Sequence, residues 1–196
     1  MGKGTETRER ILDQAVRLAS RDGLEGLTIG TLSAELGLSK SGLFAHFGSK
    51  DELQLQVLQM AVRQFEDGVI RPALSEPRGE PRIRALFDRW LAWVGRPNLP
   101  GGCVLIAASI EFDDRPGTQR EFLVESHRRR FTALARAARI AVEEGHFQPD
   151  LDDTQFAFDF YSVILGFHDS KRLLRDPEAG ERAKRSFERL LASCRA

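Results

Sequence analysis

Apolar residues in this chain recur at intervals of three and four almost from end to end, and they rarely alternate with polar ones. That spacing puts them on one stripe of an α-helix, and the lack of alternation leaves little material for half-buried strands. Ile11, Ala15 and Leu18, with Leu12, Val16 and Ala19 beside them, predict a helix over about 7–21, stopped by Gly23. Thr28 caps a second helix, "TIGTLSAELG", ended by Gly37. Ser39 caps a short third, "SKSGLFAHF", ended by Gly48. Ser49 opens a fourth, with Glu52 three residues later completing a capping box and Leu53, Val57, Ala61 and Phe65 as its apolar stripe.

The pattern breaks at "DGVIRPALSEPRGEPR", where three prolines and two glycines interrupt it. Helical periodicity then resumes in "IRALFDRWLAWVG", "CVLIAASIEF", "TQREFLVESHRRRFTALARAARIAVEEG", "TQFAFDFYSVILGFHDSKRLLR" and "EAGERAKRSFERLLASC". The expectation is an all-α chain of about nine helices. Residues 1–50 form one domain, helix 51–67 links it onward, and 68–196 form the second.

Composition excludes several functions. Lys plus Arg equals Asp plus Glu, 29 each in 196 residues, so any nucleic-acid role must come from local basic placement. Cys103 and Cys194 are far apart and lack CxxC spacing, which argues against a zinc site or disulfide scaffold and fits a reducing cytoplasm. The start "MGKGTETRER" is not a signal peptide, and no stretch is apolar enough to span a membrane. No nucleophile elbow, P-loop, Rossmann glycine set or HExxH is present. The acidic pairs Asp113–Asp114 and Asp152–Asp153 fall at turns, where Asp caps helices. Neither an enzyme nor a cofactor or metal requirement is expected.

Helices two and three, separated by "GLS", make a helix-turn-helix pattern. Gly37 can take the left-handed conformation that ends the first helix, and Leu38 is expected to point back into the core. In such modules the second helix enters the major groove with its N-terminal residues at base edges. Lys40, Ser41 and Gly42 supply that exposed turn. Leu43 and Phe47 supply the buried face with Ile29, Leu32 and Leu36, while Phe44 and His46 sit at the rim. Gly42 costs helix stability, roughly 1 kcal/mol against Ala. Close approach to DNA or local packing would each account for it.

The segment "RERILDQAVRLASRDGLEGLTIGTLSAELGLSKSGLFAHFGSKDELQLQVL" resembles the DNA-binding domain of the TetR family of bacterial transcriptional regulators. The match runs through Gly26, Leu27, Thr28, Leu32, Leu36, Gly37, Ser39, Lys40, Leu43, Phe44, His46, Phe47, Ser49, Lys50 and Leu53. The resemblance implies that Thr28 contacts phosphate and that Lys40, Ser41 and Gly42 face bases, on a helix capped by Ser39. It also implies that Phe44 and His46 meet the DNA backbone and that Lys50 grips phosphate. The Lys50 role has independent support, because a helix N-terminus attracts anions. Phe44 departs from the family's usual Tyr, and the family's glycine at position 41 stands one residue later here, at Gly42. The basic run "HRRRF" reads as the solvated face of a long helix, with Glu125 four residues before Arg129. His127, His146 and His168 show no ligand spacing.

A TetR-like chain implies a helical regulatory and dimerisation domain after the fourth helix. In "FAFDFYSVILGF" apolar residues cover more than one face, so the helix must be buried on both sides. The last two helices are therefore expected to build a homodimer interface from Phe156, Phe160, Tyr161, Ile164, Phe167, Phe187, Leu190 and Leu191. A central helix of a monomer would show the same pattern. The resemblance further implies an apolar or amphipathic small-molecule effector, placed among Trp90, Trp93, Phe112 and Phe122. The segment "GGCVLIAASIEFDDRPG" resembles a signature of one TetR subgroup. The functional expectation is a repressor that binds a pseudo-palindromic DNA operator as a homodimer and is released by ligand. The alternatives are a ligand-independent regulator with a filled core, or a helical small-molecule-binding protein or enzyme.

Overall fold

The computed structural model describes residues 3–195, with side chains from residue 6 onward. Among them are ten α-helices: α1 (Lys3–Asp22), α2 (Ile29–Leu36), α3 (Lys40–Phe47), α4 (Lys50–Phe65), α5 (Arg71–Leu74), α6 (Glu80–Val94), α7 (Val104–Glu111), α8 (Thr118–Glu143), α9 (Asp153–Arg172) and α10 (Ala179–Cys194). The nine expected helices are all present. The additions are the short α5 and the π-helical turn Glu66–Ile70 that precedes it. Pro72 supplies the physical reason for the turn. It has no N–H to donate to Gly68, and the Arg71 N–H reaches back five residues to the Glu66 carbonyl. The only strand-like pairing among the described residues is one antiparallel bridge between Phe147 and Arg195.

The chain forms two compact units. The first joins Met1–Gln64 with Arg96–Glu125, and the second joins Phe65–Gly95 with Ser126–Ala196. The segment 96–125, assigned to the second domain on sequence, thus clusters with the N-terminal helices. In the first unit, the α1 stripe of Ile11, Leu12, Ala15, Val16 and Ala19 is buried with Leu32, Leu43, Phe47, Leu53 and Val57. Burying a Leu or Phe of this kind stabilises by roughly 1.5–3 kcal/mol, so α3 is held mainly by Leu43 and Phe47. Leu38 is 42 % exposed and does not enter the core; its carbonyl instead accepts the Ser33 hydroxyl at 2.6 Å.

The second unit has an aromatic core. Phe87 stacks on Phe187 with centroids 3.9 Å apart, and Phe160 meets both edge-on. Trp90 packs between Phe65, at 4.9 Å, and Phe160, at 6.1 Å. The residues expected at a dimer interface lie here. Phe156, Phe160, Tyr161, Ile164, Phe167, Phe187 and Leu191 are buried within the single chain, and Leu190 is half-buried. Phe158 (58 %) and Leu165 (39 %) are the large apolar α9 side chains that remain exposed, so α9 carries apolar residues beyond the face that its own core buries. An ionic chain closes the end of the unit. The Arg195 guanidinium donates to Glu80 at 2.6 and 3.0 Å, Arg84 donates to Glu80 at 2.8 Å, and Arg84 also pairs with Glu188. These two arginines hold the Glu80 carboxyl down at about 2.

Candidate nucleic-acid interface

The turn between α2 and α3 is built as the sequence suggests. Gly37 adopts φ 63°, ψ 26°, a left-handed conformation that a side chain would strain. The Ser39 hydroxyl caps α3 by accepting the Gly42 N–H at 3.1 Å, and the Ser41 hydroxyl donates to it at 3.3 Å. A Cβ at position 42 would lie 3.1 Å from that same oxygen. Gly42 thus has an intrachain reason to be glycine, because it leaves room for the cap. Thr28 caps α2 through a reciprocal pair, its hydroxyl accepting the Thr31 N–H at 3.0 Å while its own N–H donates to Thr31 Oγ1 at 2.9 Å. At α4 the expected capping box is half formed. Ser49 Oγ accepts the Glu52 N–H at 3.1 Å, but the Glu52 carboxylate accepts from Gln56 at 2.5 Å instead of reaching back.

Lys40, Ser41 and Gly42 are exposed on one side of α3, whereas Leu43 and Phe47, at 1 % and 3 % exposure, anchor the other. Phe44 is a large aromatic and 58 % exposed. His46 is half-buried, its ring 6.2 Å from that of Phe47. Lys50 is not free. Its ammonium donates to Glu25 at 2.7 Å, and Arg115 pairs with the other oxygen of Glu25 at 3.3 Å. The Lys50 hydrogen bond, and then the charges of Lys50 and Arg115, hold the Glu25 carboxyl below its ordinary range.

Several residues of this head were not singled out from sequence. The Glu111 carboxylate accepts the backbone N–H groups of Leu24 (3.2 Å) and Glu25 (3.0 Å). Ser20 Oγ donates to the Gly102 carbonyl and accepts the Gly101 N–H, both at 2.9 Å. A Cβ at position 101 would sit 1.3 Å from the Ser20 carbonyl oxygen, so the backbones meet there without space for a side chain. Buried Gln54 donates to the Leu24 carbonyl at 2.7 Å, and Gln119 donates to the Asp51 carbonyl at 3.2 Å. The "GGC…EFDDRPG" string therefore docks 96–125 onto α1 and the turn after it. The string itself was the available signal, but nothing in its composition names its partners.

The four residues expected around a ligand are not brought into one unit. Trp90 and Trp93 belong to the aromatic core of the second unit, and Phe112 and Phe122 belong to the first. "HRRRF" is also only partly a solvated face. Arg128 and Arg129 are exposed, but the Arg130 guanidinium lies over the rings of Trp90, Phe65 and Tyr161 at 5.6, 5.8 and 5.8 Å. Burial, with repulsion from Arg130, pushes His127 down to about 4.

A capped helix with a polar exposed start, held by two buried side chains after a left-handed glycine, defines a helix-turn-helix regulator. The family model described as "Bacterial regulatory proteins, tetR family" matches residues 11–57, and "Tetracyclin repressor-like, C-terminal domain" matches residues 79–187. The chain belongs to the TetR family of transcriptional regulators. It is 34 % identical over 102 residues to the HTH-type transcriptional repressor DrrR1 of Streptomyces coeruleorubidus, covering 48 % of this chain and 37 % of that protein. It is 35 % identical over 83 residues to the repressor AcnR of Corynebacterium glutamicum, covering 38 % and 44 %. The chain thus spans about two-fifths of the length of these curated relatives. Over almost its whole length it superposes on a TetR transcriptional regulator from Chloroflexus aurantiacus, with TM-score 0.82, 27 % identity, and 98 % and 96 % of the two chains covered. The crystal structure of AibR in complex with isovaleryl coenzyme A and operator DNA aligns with TM-score 0.68, 25 % identity and 83 % and 86 % coverage.

Proposed function

We propose that this chain is a DNA-binding transcriptional repressor that acts in the cytoplasm, binds a pseudo-palindromic operator as a homodimer, and is released by a small-molecule ligand. The observation that carries this reading is the presentation of α3, with Lys40, Ser41, Gly42 and Phe44 exposed over a face fixed by Leu43 and Phe47. Lys40, Ser41 and Gly42 read bases. Thr28, Phe44, His46 and Lys50 meet the backbone, Phe44 by packing on sugar where a Tyr would bond phosphate. Named repressors among the relatives support the sign of regulation, and AibR, a structural neighbour, was crystallised with both operator DNA and an acyl thioester of coenzyme A.

The dimer forms on the exposed α9 face of Phe158, Leu165 and Gly166, where two copies of the same patch meet across a two-fold axis. Two heads then engage half-sites about one DNA turn, roughly 34–36 Å, apart or at multiples of that. Ligand acts by binding the state that does not fit DNA more tightly, and the linkage is reciprocal. The transmitting part is 96–125, which holds the turn after α1 through Glu111, meets Ser20 of α1 through Gly101 and Gly102, and includes the start of α8.

The test is a titration of the purified protein against the palindromic sequence upstream of its own gene. Salt-sensitive binding with preference over scrambled DNA supports the reading. Equal binding to both overturns it.

A further inference from the structure

We propose that the second unit binds a small organic monoanion, a carboxylate on an apolar body, with Arg130 as its charge partner and the Trp90 indole N–H as a second donor. The proposal deepens, and rests on, the reading of this chain as a ligand-released regulator.

Arg130 carries five N–H donors in a planar fork. Its contacts are to ring faces: Trp90 at 5.6 Å, Phe65 at 5.8 Å and Tyr161 at 5.8 Å. Cation–π contacts stabilise the charge and do not supply hydrogen-bond acceptors in the plane of the guanidinium's N–H groups. Among the described residues no carboxylate or carbonyl pairs with it. Arg84, Arg139, Arg182 and Arg195 of this unit, by contrast, each pair with a carboxylate.

Trp90 is an independent observation. Its side chain is 1 % exposed, and its Nε1 is buried without an acceptor. Buried donors are nearly always satisfied, and each exception asks for an explanation. Trp90 Nε1 is a buried donor without an acceptor, and the half-exposed Arg130 guanidinium beside its ring has no acceptor among the described residues; together they call for an acceptor-rich group, and the charge of Arg130 makes it an anion. A planar carboxylate matches the fork of one guanidinium in two parallel bonds.

The charge count selects a monoanion. His127, three residues before Arg130 on α8, is held neutral at pH 7 by burial and by Arg130 itself, so it adds no second cation. A dianion would enter an aromatic surrounding half-neutralised, which is costly. The apolar body matches the aromatic surroundings of Arg130. Phe131 packs against Tyr161 at 5.3 Å and Phe65 against Trp90 at 4.9 Å. The opposite side of the core is filled by the Phe87–Phe187 stack at 3.9 Å.

The probe set is the straight-chain carboxylates from butanoate to decanoate, with phenylacetate and 4-phenylbutanoate, each against its primary amide. Trp90 and Trp93 are the two tryptophans of the chain, and intrinsic fluorescence of the full-length protein reads binding. At least one acid should bind ten-fold or more tighter than its amide, and Trp93→Phe should retain the signal. Arg130→Gln should bring acid and amide within two-fold. The acid–amide comparison on the unmodified protein needs no variant and stands if Arg130→Gln fails to fold. No acid preference in any pair, or a preference that survives Arg130→Gln, overturns the site. Operator release is measured separately by anisotropy. An acid that binds through Arg130 but leaves the operator bound supports the anion site and overturns ligand release.

Discussion

Glu25 holds the Lys50 ammonium at 2.7 Å at the start of α4. If Lys50 grips phosphate as proposed, this pair partly neutralises the contact in the free protein. Glu25→Gln should tighten binding to operator and non-specific DNA alike by roughly 2–5-fold, the scale of an exposed ion pair. Lys50→Ala should weaken binding to all sequences and lower the salt slope by about 1. Lys40→Ala should also shift base preference. Anisotropy titrations at three salt concentrations check all three, and an identical preference profile for Lys40→Ala and Lys50→Ala would remove the division of roles.

The backbones of Ser20 and Gly101 meet with no room for a Cβ, which would lie 1.3 Å from the Ser20 oxygen. Gly101→Ala must therefore push 96–125 away from α1. A loss of roughly 1–3 kcal/mol is expected, as in overpacked cores, seen as a lower midpoint in urea. Glu111→Ala leaves the Leu24 and Glu25 N–H groups unaccepted. It should alter operator affinity more than it alters overall stability, because it frees the turn that carries Glu25.

These head contacts show where sequence reading stops. Capped helices, their order and the buried pair Leu43 and Phe47 were legible because they depend on local spacing and on residues with one dominant role. Glu111, Ser20, Gln54 and Gln119 were not, because their partners are backbone groups distant in sequence, and a backbone N–H looks alike at every residue. The division of α9 between core and surface was not legible for a related reason. Periodicity says that a helix is buried on several faces but not which face belongs to its own chain. The structure buries Phe156, Phe160, Ile164 and Phe167 in the chain's own core and leaves Phe158 and Leu165 exposed. Arg130 was misread because a cation among charged neighbours in sequence can still turn inward onto rings.

Acid should destabilise the second unit through two groups. His127 is depressed to about 4 in the folded protein against an ordinary value near 6.5. The unfolded chain thus binds a proton that the folded one refuses, and stability present above pH 6.5 falls as pH drops towards 4. Glu80 is depressed to about 2 from 4.5, so its stabilisation is full above pH 4.5 and is lost as pH falls through 2. His127→Phe should flatten the stability profile between pH 6.5 and 4, and Glu80→Gln should flatten it only below 4.5. Thermal melts across pH 2–8 separate the windows.

Phe158 and Leu165 occupy the exposed α9 face. Phe158→Asp combined with Leu165→Asp should yield a folded monomer by sedimentation, since neither side chain supports its own core. Operator affinity should fall by more than 100-fold, while binding to a single half-site changes little. A variant that stays dimeric would place the interface elsewhere.

The most direct measurement is anisotropy of the labelled upstream palindrome titrated with the intact protein. The account predicts saturation at two chains per duplex and affinity that drops steeply with salt. Scrambled DNA of equal length should bind at least 1,000-fold more weakly, the lower end for specific DNA-binding proteins. Equal affinity for both duplexes, or no binding at low salt, would contradict it.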